Sequence, residues 1–230
     1  MNDKQSTNFF LSGITVGLRE PDIENDILNG EWHTWFNDPA VTKFLVHGVF
    51  PVSRDKQISY ISNELEKSSS LIFSIIHIES NKHIGVVSLK NIDLVNRTAE
   101  IGIVMGPYRI PGAPAIEAMT LLMKHAFDRL NLDLLYAGQH EGLWKWVNTL
   151  STIGFKIDGF RANAGVRDNK SYGVYLTSVK AEDFNTLEKQ RNGKILGDSV
   201  DSILKKRPRN NQKENILTFL KAVNPFLEEQ

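Results

Sequence analysis

A carboxylate on a strand, followed closely by a loop of arginine, proline and glycine, is the stretch of this chain best suited to chemistry. The strand is Ala99-Glu100-Ile101-Gly102-Ile103-Val104-Met105-Gly106-Pro107, the loop is Tyr108-Arg109-Ile110-Pro111-Gly112-Ala113, and a helix is predicted from Pro114 to about Leu130. A helix start leaves its first amides unpaired and carries a partial positive charge, so the loop can aim N–H groups at a phosphate with the Arg109 guanidinium at the rim. Pro111 and Pro114 each remove one donor from that cradle. The opposing reading is an ordinary strand-to-helix turn in which Pro114 is simply a favourable first helical residue. Strand alternation puts Ala99, Ile101, Ile103 and Met105 on one face and Glu100, Gly102 and Val104 on the other. There Glu100 is either a general base in a cleft or a solvated strand-face charge.

The elements that must position these residues follow from periodicity and punctuation. After a polar arm (residues 1–8), Phe9 to Arg19 reads as a strand, with Glu20-Pro21-Asp22 as a turn and helix start. A helix over about Asp22 to Trp35 comes next, then a cap and proline at Asn37-Asp38-Pro39. A second helix covers about Arg54 to Lys67, with Ile58, Ile61 and Leu65 on one face. Leu71 to Glu79, His83 to Asn91 and Arg97 to Met105 form three antiparallel strands joined by short connections. In the helix after the loop, Ile116, Met119, Leu122, Met123, Ala126, Phe127 and Leu130 make the stripe that packs on the sheet. Leu132 to Gly138 returns as a strand and Glu141 to Thr152 is helical. Gly154 stops that helix before Phe155 opens another strand, and Tyr172 to Val179 is the last.

Beyond this domain, expected over 9–184, a C-terminal extension covers 185–230. Its run Lys205-Lys206-Arg207-Pro208-Arg209 reads as a solvated charge cluster. Ile216, Phe219, Leu220 and Val223 recur at helical spacing and predict an amphipathic helix that packs on the domain or on a second copy, which leaves a homodimer open.

Composition excludes several classes. With 230 residues, 41% hydrophobic and 23% charged, the chain holds one good-sized core with an appendage. The 27 basic and 27 acidic residues cancel, so no global field draws in nucleic acid or an anionic membrane, and any anionic ligand is held locally. The lack of cysteine removes disulfides, thiolate zinc sites and a cysteine nucleophile, and makes the cytoplasm the expected location. No apolar run approaches the ~18 residues of a membrane span, and the start lacks a signal-peptide pattern. The six histidines show no metal-ligand spacing, so no metal is expected.

Arg109-x-x-Gly112-x-Pro114 resembles the Q/R-x-x-G-x-G/A signature of the GNAT superfamily, whose members bind acetyl-CoA through its pyrophosphate; here Pro114 stands where the family has Gly or Ala. The order of elements from about Phe9 to Asp183 is that of the same fold. Trp35-Phe36-Asn37-Asp38-Pro39-Ala40-Val41 and Ala99-Glu100-Ile101-Gly102 resemble runs of the branch containing ribosomal-protein N-terminal acetyltransferases and sugar N-acetyltransferases. The resemblance implies an α/β (α+β) fold with a mixed, mainly antiparallel central sheet flanked by helices. It also implies transfer from acetyl-CoA, or another acyl-CoA, to a primary amine.

By the same resemblance, Glu100 is the general base, and the backbone at Val104 and Met105 meets the pantetheine arm. Arg109, Ile110, Gly112 and Ala113 hold the pyrophosphate. Trp32, Trp35 and Phe36, with Trp144 and Trp146 opposite, line the acceptor pocket; the competing reading of these aromatics is core. The family's asparagine and general-acid tyrosine fall on Leu143 and Leu150, which lack both functional groups. His140 is the substitute acid named first, with Glu141 and Tyr108 as others. The acceptor implied is a small-molecule amine, foremost an amino-sugar nucleotide. A protein or peptide N-terminus and a non-catalytic binding module of the same fold are the alternatives.

Overall fold

Alternating apolar residues build the strands, and paired polar turns decide where they stop. The computed structural model describes residues 8–45, 48–110, 113–196 and 199–223. The chain divides into two compact units, one ending at Leu135 and one beginning at Tyr136.

In the first unit the strands are β1 (Leu11–Ser12), β2 (Val16–Arg19), β3 (Leu71–His77), β4 (Lys82–Asp93) and β5 (Thr98–Met105), in that spatial order. All neighbouring pairs are antiparallel. The single strand expected over Phe9–Arg19 is a hairpin, because the chain turns back between Ser12 and Val16. The helix expected over Asp22–Trp35 is likewise broken. Asp22 caps a wide π-type turn at Ile23–Leu28, accepting from the Asn25 amide, and a separate helix α1 covers only Trp32–Trp35. The break falls at Asn29-Gly30, two poor helix formers in succession.

Helix α2 (Pro39–Thr42) is capped by Asp38, which accepts from the Ala40 amide. Helix α3 (Arg54–Leu65) is capped by Ser53. Helix α4 (Pro114–Asp128) packs its apolar stripe against β1, β2, β4 and β5. A second cluster, of Ile27, Trp32, Trp35, Phe36, Ile61 and Ile72, covers the sheet face that presents Val86 and Val104.

The second unit carries most of β6 (Leu134–His140), with β8 (Lys170–Lys180) next to it and β7 (Lys156–Arg167) outermost. Helix α5 (Trp144–Leu150) lies between 3₁₀ turns at Glu141–Leu143 and Ser151–Ile153. Gly154, at φ 102°, ends that segment in the left-handed conformation glycine adopts without strain. The remaining helices are α6 (Ala181–Gln190), α7 (Val200–Lys205) and α8 (Lys213–Val223). Helix α6 runs across the expected domain limit at 184/185. The amphipathic helix read from Ile216 to Val223 is present, and Ile216 and Leu217 pack on Val147, Phe160 and Tyr175. Among the described residues, no helix is long and apolar enough to cross a membrane.

Candidate active site

Glu100 owes its surroundings to a bulge. On β4 and β5 the register runs Lys90 opposite Glu100, then jumps to Asp93 opposite Thr98, so Asn91 and Ile92 face a single residue. Asn91 sits at φ 51°, a left-handed value that asparagine tolerates better than most residues. Its amide Nδ2 donates to Glu100 Oε2 at 3.1 Å. The half-buried carboxylate is thereby held on the face that also carries Gly102 and Val104. Lys90, opposite it, donates to the Tyr60 hydroxyl and lies 3.5 Å from the buried Glu64 carboxylate.

The aromatics expected to wall an acceptor pocket from this side are core instead. Trp32, Trp35 and Phe36 are 2%, 1% and 9% exposed, because the broken helix turns their side chains onto Ile27, Ile61 and Ile72 rather than toward solvent. Beneath them lies a polar network that sequence reasoning missed. Asp26, 1% exposed, accepts from Arg19 at 2.6 and 2.9 Å, from the Ser74 hydroxyl at 2.6 Å and from the Asp22 amide at 2.9 Å. Burial opposes its charge, but these donors together hold its pKa below the ordinary aspartate value. His83 places Nδ1 3.5 Å from Asp26 and Nε2 2.9 Å from the Gly85 carbonyl, so its proton sits on Nε2. Burial drives the His83 pKa down to about 4, against the pull of Asp26. In the sequence Asp26 stands beside Asp22, Glu24 and Asn25, so nothing local marked it as the buried one.

The loop after β5 is anchored at Tyr108. Its phenol donates to the Glu31 carboxylate at the start of α1, the Lys82 ammonium lies 3.7 Å from its ring centroid, and Trp35 meets it edge-on at 5.9 Å. Burial, helped by Glu31, pushes the phenol pKa up to about 12. Arg109 follows and is exposed; Ile110 is half-buried. Pro111 and Gly112 lie outside the described residues. Ala113 precedes the first turn of α4, which has no side-chain cap and opens with Pro114. The first-turn amides of Ala115 and Ile116 have no intrahelical acceptor, so the end of this 15-residue helix suits an anion. Glu117 does not compete for it. Its carboxylate accepts from the Ile14 and Thr15 amides and the Thr15 hydroxyl, fixing the start of α4 to the β1–β2 turn. A phosphate-bearing cofactor fits this end of the helix, and Val104 and Met105 close the preceding strand opposite Val86 and Gly85.

In the second unit, His140 stacks on Tyr172 at 4.5 Å and its Nδ1 accepts from the Gly142 amide at 3.0 Å. Burial lowers its pKa, so at neutral pH it is an uncharged imidazole that caps a turn. Glu141 is paired with Lys213 at 2.5 Å. Leu150 is fully buried and Leu143 half-buried, so neither brings a polar group. Trp144 and Trp146 are half-buried. Among the described residues there is no cluster of histidine and carboxylate side chains able to hold a metal.

Residues 16–156 match the family model of the Acetyltransferase (GNAT) domain. The chain is 27% identical over 170 residues to a Bacillus licheniformis protein described as uncharacterized N-acetyltransferase p20, covering 73% of this chain and 93% of that one. Among solved structures, a GCN5-related N-acetyltransferase from Brucella melitensis superposes with a TM-score of 0.67 at 19% identity, covering 85% of this chain and 93% of that one. The spermidine N-acetyltransferase of Vibrio cholerae, solved with CoA and spermine, gives 0.67 at 18% identity, covering 74% and 98%. These structures share the mixed, mostly antiparallel sheet flanked by helices. The family match reaches from β2 to the start of β7, more than half of the chain, and the chain belongs to the GNAT acetyltransferase family, whose enzymes take their acetyl group from acetyl-CoA.

Proposed function

We propose that this chain transfers an acetyl group from acetyl-CoA to the primary amine of a small molecule, with Glu100 as the base. The observation that carries the reading is the bulge on β4, which aims Asn91 at Glu100 and leaves that half-buried carboxylate beside the open position of Gly102. Bound acetyl-CoA supplies the acetyl group as an activated thioester. Arg109, Ile110 and the amides opening α4 hold its phosphates, with Gly112 and Ala113 as the family pattern implies, and Val104 and Met105 present backbone to its arm. Glu100 accepts the proton that the amine must lose, directly or through one water. The substitute acids are engaged elsewhere: the His140 ring accepts from the Gly142 amide, Glu141 is paired with Lys213, and the Tyr108 phenol gives its proton to a bond with Glu31. A thiol pKa near ~8.5 lets the leaving group depart without one.

The family resemblance implies an amino-sugar nucleotide, with aromatic side chains of the first helices on its pocket. With Trp32, Trp35 and Phe36 in the core, the exposed or half-buried groups of the first unit best suited to an acceptor are the carboxylates Glu31 and Glu100. Carboxylates favour an amine that carries positive charge elsewhere in the molecule. The spermidine N-acetyltransferase of similar fold bears the name of such an amine. The deciding experiment measures CoA release with acetyl-CoA and three acceptors: spermidine, a UDP-linked amino sugar and a peptide with a free N-terminus. Turnover with the polyamine supports the reading, turnover with only the sugar or the peptide reassigns the acceptor, and no binding of acetyl-CoA overturns the catalytic assignment.

A further inference from the structure

The charge run Lys205-Lys206-Arg207-Pro208-Arg209, which reads from sequence as a solvated cluster, is a built feature of the second unit. A groove of about 490 Å³ is lined by Trp144 and Lys145 of α5, Asp201, Leu204 and Lys205 of α7, and Arg207, Pro208 and Arg209 of the loop that follows. Four cations thus surround one space with one carboxylate among them, in a chain whose net charge is zero.

The loop is not loosely draped. Asn148, 4% exposed on α5, donates through Nδ2 to the carbonyls of Pro208 and Asn210, both at 2.9 Å. Tyr175 donates to the Asn211 side chain at 2.5 Å, and Arg207 reaches the Thr149 hydroxyl at 3.4 Å. A buried amide that satisfies two loop carbonyls fixes the backbone on which Arg207 and Arg209 ride. Holding four like charges about one groove costs repulsion, and an anion in the groove removes it.

We infer that this groove binds a nucleoside di- or triphosphate. The phosphates are met by Lys205, Arg207 and Arg209, whose forked or mobile donors suit phosphate oxygens. The base is met by the half-buried indole of Trp144, which already has the Lys145 ammonium 5.5 Å from its centroid. The volume is that of a small-molecule site. Lys205, Arg207 and Arg209 lie beyond the segment matched by the family model, while Trp144 and Lys145 lie within it, so the phosphate-facing cations come from this chain's extension.

The test is calorimetric titration of the full chain with ADP, and separately with inorganic tripolyphosphate, in saturating acetyl-CoA. Saturable ADP binding is expected, weakened at least about tenfold by the exposed pair Lys205→Ala/Arg209→Ala and also by Arg207→Ala. Trp144→Leu weakens ADP and leaves tripolyphosphate unchanged. Thermal unfolding of the Lys205→Ala/Arg209→Ala protein, unchanged from the parent, shows that the loss is not one of folding. The inference fails if millimolar ADP gives no saturable heat, if both sets of arginine and lysine variants bind as the parent does, or if acetyl-CoA displaces the nucleotide.

Discussion

The phenol of Tyr108 donates to the carboxylate of Glu31, tying the loop that carries Arg109 to the start of α1. The two residues are 77 positions apart in sequence, and the bond joins the loop after β5 to the N-terminal end of α1. Gly106 makes the approach workable, since a Cβ there would lie 2.8 Å from the Trp35 ring and 2.9 Å from that of Tyr108.

Removing either end of that bond should loosen the loop without touching the base. Tyr108→Phe and Glu31→Ala are each expected to raise the KM for acetyl-CoA by about three- to tenfold with little change in kcat, as suits one hydrogen bond to a charged group. The double variant should be no worse than either single one, and Glu31→Gln, which keeps an acceptor oxygen, should restore most of the affinity. Additive losses in this cycle would show that the two side chains act separately.

Glu100→Gln is expected to lower kcat by about 10²–10⁴ with acetyl-CoA affinity unchanged, because it removes proton acceptance and keeps the shape. Asn91→Ala should have a smaller effect of the same kind, since it removes only the bond that orients the carboxylate. Steady-state rates across pH provide the check, as loss of a base abolishes the acidic limb of the profile. A Glu100→Gln protein that turns over at the parent rate would move the base elsewhere.

His83 makes stability depend on pH in a defined direction. Its folded pKa is depressed from 6.5 to about 4, so between those values the unfolded chain binds the proton more tightly and stability falls as the pH falls. The contribution is complete above pH 6.5, is worth on the order of 3 kcal/mol, and is lost as the pH drops toward the folded value. Asp26, also depressed, adds a further loss at lower pH. Urea unfolding at pH 7 and pH 5 should show the drop in the parent and a flatter response in His83→Gln, whose amide can still donate to Gly85.

Asn148→Ala should release the extension. The side chain satisfies two loop carbonyls, and leaving them without a partner costs about 1–3 kcal/mol. Limited trypsin digestion is the readout: faster cleavage after Lys205, Lys206 or Arg209 than in the parent, with the rest of the chain still protected, is the expected pattern. Equal cleavage rates would mean that the loop is held by other contacts.

Periodicity and punctuation were enough to read β3, β4, β5, α3, α4, α5, β7 and β8 from the sequence, because each is fixed by local alternation and by nearby caps such as Ser53 and Gly154. The same local logic put Glu100 on the face of Gly102 and Val104, and the quoted motifs pointed to the family. Where the chain departs from a regular run, local pattern misled. Phe9–Arg19 looks like one strand yet turns back on itself, and Asp22–Trp35 looks like one helix yet breaks before Glu31.

What only the tertiary structure decided were relationships between distant residues. A tryptophan at helical spacing is equally at home in a core or on a pocket wall, and only packing against Ile27, Ile61 and Ile72 put Trp32 and Trp35 in the core. Within its own segment Asp26 is met by the Asp22 amide; Arg19, Ser74 and His83 come to it through strand pairing. The run Lys205–Arg209 carries its charge in the sequence, but its place beside Trp144 depends on hydrogen bonds from Asn148, some 60 residues earlier. Local free energies select the elements; burial and long-range hydrogen bonds, which no window of sequence contains, select which side chains meet.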